Sequence, residues 1–158
     1  MPVAAVLFDW RGTLAHSPPP RWWAERGLEA AGRPVVEHEV VRIEAALLEA
    51  GGLDGIDVSA EAHRRETLGV FGRHGLDDAL AGALYALDAD PVNHPLYPDA
   101  APVLRDLDRR GVAVAVVSDF HVDLRPMLAS QGITTLILPP PPAGLVPRGL
   151  DLVTRLVG

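Results

Sequence analysis

The stretch that decides the fold runs from Val6 to Leu14 and reads VLFDWRGTL. Val3 to Phe8 is an unbroken apolar run, which is typical of a strand buried on both faces of a parallel sheet. Asp9 follows this run directly, and a carboxylate at the carboxyl end of such a strand faces the crevice where open α/β sheets bind ligands. Gly12 lets the backbone bend close to a ligand. Asp9 is therefore a candidate functional carboxylate, with a helix-capping or turn aspartate as the alternative.

A second apolar run, Val112 to Val117, ends in the same manner at Ser118 and Asp119. Asp99 before it can cap a helix that Gly111 closes. Strand, helix and strand in this order indicate βαβ units and an α/β fold with a parallel sheet. Because Ser118 and Asp119 follow a strand end, we expect them at the same sheet edge as Asp9.

The intervening stretch, roughly residues 20–88, has helical character. Val36, Val40, Ile43 and Leu47 are spaced to lie on one helix face, and glycines at 51 and 52 end that helix. Ser59 and Asp77 can cap two further helices. We predict a helical cap over residues 18–91, inserted into a core made of residues 1–17 and 92–158. The proline-rich segments 18–20 and 91–98 are its predicted hinges.

The stretch from Val6 to Leu14 resembles the first motif of the haloacid dehalogenase superfamily of hydrolases, and Val114 to Ser118 resembles the second. The resemblance implies a Rossmann-like core with a helical cap, and Asp9 as a nucleophile that forms an aspartyl intermediate with a small anionic substrate, a phosphate ester or a haloacid. It also implies Mg²⁺, held by the Asp9 carboxylate and the Arg11 carbonyl. The implied site residues are Asp9 and Arg11 as catalytic, with Gly12, Thr13, Ser118 and Asp119 as substrate-binding.

The chain departs from that family pattern at two places. Arg11 stands where family phosphatases carry an aspartate that serves as general acid and base, and a guanidinium cannot exchange its proton at any relevant pH. After Gly132 we find neither the family's third-motif cation nor its acidic pair. Ile133 to Leu138 resembles the last strand of such proteins, so we hypothesise that about 50–70 residues, or two βα units, are missing here.

These departures predict a hydrolase with weak or no turnover. The alternative is a non-catalytic relative that acts as an anion-binding or protein-interaction module. A net charge of −7 argues against nucleic-acid binding. No cysteine occurs, and no apolar run is long enough for a membrane span, so we expect a cytoplasmic protein that does not insert into membranes. A short sheet leaves open edges, which self-association could complete.

Overall fold

The computed structural model describes residues 5–53, 59–116, 118, 123–130 and 133. The chain divides into two compact units. The core unit contains the chain up to Ser17 and again from His94, and the helical unit is Pro18–Asn93. The cap was predicted over residues 18–91, and its role as a cap stays a prediction.

The core unit contains a parallel pair of strands, β1 (Ala5–Phe8) and β2 (Ala113–Val116). The ladder begins with Ala5 opposite Ala113 and ends with Phe8 opposite Val116. Both apolar runs therefore form the predicted strands, and in the second run the strand begins at Ala113, one residue later than predicted. The predicted third strand, 133–138, lies outside the described residues except for its first position.

Helix α5 (Ala100–Arg109) packs on β2, and α6 (Leu124–Ser130) follows that strand. Gly111 ends α5 at φ +69°, where its N–H donates to the Asp108 carbonyl and the next amide to Leu107. This is the glycine-terminated helix end that the sequence predicts. The buried core of this unit consists of Trp10, Leu14, Ala15, Ala100, Leu104, Val114, Val116, Leu124, Leu128 and Ile133.

In the described part of the helical unit, residues 18–53 and 59–93, there are four α-helices: α1 (Pro20–Ala30), α2 (Glu37–Gly51), α3 (Ala60–Arg73) and α4 (Asp78–Ala89). A short 3₁₀ turn, Pro91–Asn93, follows them. Helix α1 packs on α2 and α4, and α3 also packs on both. The resulting core comprises Ala24, Leu28, Val40, Ile43, Ala46, Ala50, Val70, Phe71, Leu76, Leu80, Ala81 and Leu84.

Two of the predicted helix caps are confirmed in the helical unit. The Ser59 hydroxyl accepts a hydrogen bond from the Ala62 amide at 3.1 Å, and the Asp77 carboxylate accepts one from the Leu80 amide at 3.1 Å. Each bond satisfies an amide that has no partner within the first helical turn.

Three local predictions need correction. Val36 precedes α2 in extended conformation, so it lies at the end of the predicted apolar face without being helical. Asp99 stands at the start of α5 but makes no side-chain capping bond. Pro20 is the first residue of α1, because its fixed φ suits a first helical turn, and so it is not part of a hinge.

Among the described residues, no helix combines the length and the apolar character that crossing a bilayer requires.

Candidate active site

Asp9 is the first residue after β1, and its side chain is exposed. The Thr13 hydroxyl donates a long hydrogen bond to Asp9 Oδ2, with 3.4 Å between the two oxygens. A bond of this length is weak, so it orients the carboxylate more than it stabilises the chain. Asp9 therefore combines solvent access with a defined place at the carboxyl edge of the sheet.

Asp9 and the residues after it form a compact turn, which we call the nucleophile loop (Asp9–Leu14) after the role that the sequence resemblance predicts for Asp9. The Trp10 carbonyl accepts from the amides of Leu14 and Ala15, both at 2.9 Å, and more weakly from Thr13 at 3.4 Å. Gly12 adopts φ +75°, a conformation that side-chain-bearing residues rarely take. The sequence motif thus corresponds to a loop closed by its own backbone.

Gly12 contributes its conformation to this loop, and its amide is already used. Its N–H donates to the Ala15 carbonyl at 2.8 Å. This amide closes the loop, so it is not available to hold an anion. The anion-binding groups proposed below are therefore side chains.

Arg11 lies within the same loop and is half-buried, with its backbone bridged to Ala15. A permanent positive charge is thus placed two residues from the Asp9 carboxylate. Arg11 also makes an interaction of its own in the structure. Its guanidinium can attract and orient an anion by charge and by its fixed fork of donors, but it cannot take or give a proton.

Ser118 stands two residues beyond the end of β2, and Asp9 stands one residue beyond the end of β1. Because β1 and β2 are parallel and in register, both residues lie at the carboxyl edge of the sheet. Asp119 lies outside the described residues. Asp123 accepts from the Arg125 amide at 3.0 Å and pairs with its guanidinium, which lowers the pKa of the Asp123 carboxyl. Asp123 thereby caps the start of α6.

The described residues do not fit a magnesium site. Mg²⁺ prefers a nearly octahedral set of oxygen ligands, usually from one or two carboxylates with water and substrate phosphate. Near the nucleophile loop the candidates are the Asp9 carboxylate and the Arg11 carbonyl, and Arg11 adds a cation beside them. Within the segments that the structure describes, no three His, Asp or Glu side chains lie close enough together to hold a metal.

The structure adds residues around the loop that the sequence did not reveal. Trp10 is completely buried, whereas the sequence offers only a single aromatic residue in a polar turn. His16 and Tyr97 place their rings 4.1 Å apart, and His94 is fully buried. The His16–Tyr97 contact has no signal in any local pattern, because it joins positions about eighty residues apart.

Comparison with known proteins identifies the fold. The chain matches the L-2-haloacid dehalogenase of Xanthobacter autotrophicus with a TM-score of 0.53 and 21% identity, over 84% of this chain and 53% of that one. A predicted phosphoglycolate phosphatase from Haemophilus somnus matches with a TM-score of 0.54 and 16% identity, over 98% and 70%. Another dehalogenase matches with a TM-score of 0.52 and 18% identity, over 81% and 55%.

The chain spans about half the length of the two dehalogenases that it matches. No protein-family profile and no curated protein matches its sequence. At identities of 16–21% the likeness concerns the fold, which agrees with the α/β core and helical insertion predicted from the sequence. The chain therefore has the haloacid dehalogenase-like fold.

Proposed function

We propose that the chain is a hydrolase of the haloacid dehalogenase type in which Asp9 attacks a small anionic substrate. The observation that carries this proposal is the position of Asp9, which is exposed, follows a parallel strand directly and receives the Thr13 hydroxyl on one carboxylate oxygen. A carboxylate so placed can serve as a nucleophile that forms a covalent intermediate. The solved structures with this fold include dehalogenases and a predicted phosphatase.

Between these two chemistries, the site favours attack on carbon. Hydrolysis of a phosphate ester needs a group that protonates the departing alkoxide, and Arg11 cannot supply that proton. A halide leaves without protonation, so a haloacid needs no general acid at this step. The absence of a carboxylate at position 11 therefore lowers the rate of dehalogenation less than the rate of phosphate-ester hydrolysis.

The first step can be written from the residues of the loop. One Asp9 carboxylate oxygen attacks the halogen-bearing carbon of the haloacid, and the carbon–halogen bond breaks. The halide leaves with the bonding electrons, and an ester now joins Asp9 to the acid. Since the Thr13 hydroxyl donates to Oδ2, we assign the attack to Oδ1.

The second step is the hydrolysis of this ester. Water adds to the Asp9 carboxyl carbon, the ester bond to the substrate breaks, and the hydroxy acid leaves with one proton of the water while the other goes to solvent. No base for this water is identified among the residues of the loop. Loss of a general base typically costs about 10²–10⁴-fold, so we propose that ester hydrolysis limits turnover.

The substrate carboxylate would be held by groups around the crevice. Arg11 supplies the charge, Thr13 and Ser118 supply hydroxyls, and Asp119 is proposed to line the same edge. We further propose that the helical unit acts as the cap that selects substrates.

The test is to incubate the purified chain with 2-chloropropionate and to follow both free chloride and protein mass. We expect the mass of the substrate less hydrogen chloride to accumulate on the peptide that contains Asp9. Asp9→Asn should abolish this adduct, and Asp99→Asn, the same chemical change at an exposed position of the core unit, should retain it. The proposal fails if the wild-type chain releases no chloride and forms no adduct.

A second candidate function is a non-catalytic module that binds small anions. Arg11 favours it, because a guanidinium replaces the acid–base carboxylate beside Asp9. Calorimetric titration with propionate and with phosphate, combined with the 2-chloropropionate reaction above, separates the two candidates. Binding that depends on Arg11 but never leads to an adduct would establish the module.

A further inference from the structure

The nucleophile loop is anchored on its inner side by Trp10. This residue lies between exposed Asp9 and half-buried Arg11, yet its own side chain has no solvent exposure and belongs to the core cluster. The same residue accepts the loop's amides through its carbonyl. One residue thus fixes both the path of the loop and its depth relative to the sheet.

The chain that leaves the loop is held by a second segment, which we call the strap (Pro95–Tyr97). The Tyr97 amide donates to the Leu14 carbonyl at 3.0 Å, and the His16 amide donates to the Pro95 carbonyl at 2.9 Å. Ala15 and Leu96 form an antiparallel bridge between these two bonds. Part of segment 91–98, which the sequence predicted as a hinge, therefore forms a short ladder. The ring contact between His16 and Tyr97 lies at the end of this ladder.

Tryptophan is an unfavourable residue at position 10 if its side chain only fills the core. Its indole Nε1–H is buried without a hydrogen-bond partner in the part of the chain that the structure describes. A buried donor without a partner destabilises the folded chain, because it has given up its hydrogen bond to water. A phenylalanine or leucine would fill apolar space without leaving a donor unsatisfied. The large indole ring therefore needs a further explanation, and its effect on the position of the loop provides one.

We propose that Trp10 and Tyr97 are positioning residues for Asp9. Trp10 fixes the position of the loop by its burial in the core, and Tyr97 fixes it through the strap. Together they hold the Asp9 carboxylate at one position beyond the edge of the sheet. This inference rests on the proposed function, since it concerns the same nucleophile. A displacement of about 1 Å at a reacting group can cost about 10²-fold in rate, so the two anchors act on chemistry without touching the substrate.

Four variants test this role against a purely structural one. Trp10→Leu and Tyr97→Leu remove the aromatic anchors, while Trp10→Phe and Tyr97→Phe keep a ring in each place. Leu104→Ala is the matched control, because Leu104 is 2% exposed and lies in the same core cluster but outside the loop and the strap. Each variant is compared by urea unfolding, so that losses in stability can be set against the other readouts.

The first readout is amide hydrogen exchange at Leu14, Ala15 and Tyr97, which reports the order of the loop without requiring any reaction. The second is the rate of ester formation on Asp9 with 2-chloropropionate. We expect the two leucine variants to lose at least about tenfold in protection at these amides and about 10²-fold in rate. The backbone bonds remain possible in both variants, but the buried indole or the His16–Tyr97 ring contact that orders them is lost. Tyr97→Phe should regain most of both. Trp10→Phe should regain only part, because its ring is smaller than the indole, and Leu104→Ala should keep both close to wild type.

The two readouts separate failure of this inference from failure of the proposed function. If wild type forms no ester, the proposed function fails, and the exchange data alone decide whether the anchors order the loop. Equal loss of protection in Leu104→Ala and Trp10→Leu would overturn the positioning role. Ester formation at the wild-type rate in a variant with an unprotected loop would overturn it as well.

Discussion

Replacing Gly12 with alanine tests whether the backbone of the nucleophile loop sets the chemistry. Gly12 adopts φ +75°, and a Cβ built there meets no atom within 4 Å. The substitution therefore adds strain without adding a clash. For an L-residue the left-handed conformation costs about 1–2 kcal/mol, and the less flexible unfolded chain returns about 0.4–1 kcal/mol. The expected net destabilisation is about 1 kcal/mol, or about fivefold in the unfolding constant.

Two other glycines provide matched controls for this change. Gly32 in the helical unit and Gly111 in the core unit have φ +68° and +69°, and each also has open space where a Cβ would stand. Alanine at either position should cost the same amount of stability. Gly75 is unsuitable as a control, because its Cβ would lie 3.2 Å from Arg42 Nη1.

The assay combines urea unfolding of the three alanine variants with single-turnover formation of the Asp9 ester. All three should lose about 1 kcal/mol, but only Gly12→Ala should slow ester formation, by about 10–10²-fold, since only this strain displaces Asp9. Gly12→Asn should lose less than Gly12→Ala, because asparagine tolerates the left-handed region better. Equal rates for Gly12→Ala and Gly111→Ala would refute the reasoning.

Three further predictions concern the helical unit. Gly27→Ala should destabilise it by about 1–3 kcal/mol, measured by urea unfolding, because the added Cβ would overlap Leu84 Cδ2 in the core. Ser59→Ala should cost about 1 kcal/mol through the lost capping bond, whereas Ser59→Asp should retain most of it; equal losses in both variants would contradict the capping role. The hydrogen bond from Arg21 lowers the pKa of Glu37 below its ordinary 4.5, so the stability from this pair should be present above about pH 4.5 and decline as acid protonates the folded carboxylate. Glu37→Gln should flatten that part of a pH series of urea midpoints, and an unchanged series would contradict it.

The sequence predicted the core strands and several helix ends because these depend on short-range patterns. The run before Asp9 and the run before Ser118 each form a strand, and the caps at Ser59 and Asp77 make the predicted bonds. An apolar run or a capping side chain carries its own physical reason within a few residues. Such features can be read from the chain without knowledge of its distant contacts.

The contacts around the candidate site could not be predicted in the same way. The strap pairs with Leu14 and His16, although the whole helical unit lies between these segments in the sequence. Nothing in the proline-rich sequence near Leu96 indicates this partner. The burial of Trp10 depends on the packing of strands and helices from both parts of the core unit. Asp99 shows the converse case, in which a plausible cap is present but makes no bond.

The expectation of magnesium came from resemblance alone, and the donor set of the described residues does not meet it. A calorimetric titration with MgCl₂ on wild type and Asp9→Asn addresses this point separately from the reaction. We expect no binding that depends on Asp9. Stoichiometric binding that disappears in Asp9→Asn would show that further ligands complete a site around this carboxylate.

The most direct test of Asp9 as nucleophile is a reaction of 2-chloropropionate with excess protein in H₂¹⁸O, followed by mass analysis of the peptide that contains Asp9. If Asp9 forms the ester and water then attacks its carboxyl carbon, one ¹⁸O atom will remain in the Asp9 carboxylate after turnover, and the lactate from this first cycle will carry none from the solvent. If water attacks the substrate directly, the lactate will carry the label and the Asp9 peptide will stay unlabelled, which would contradict the account.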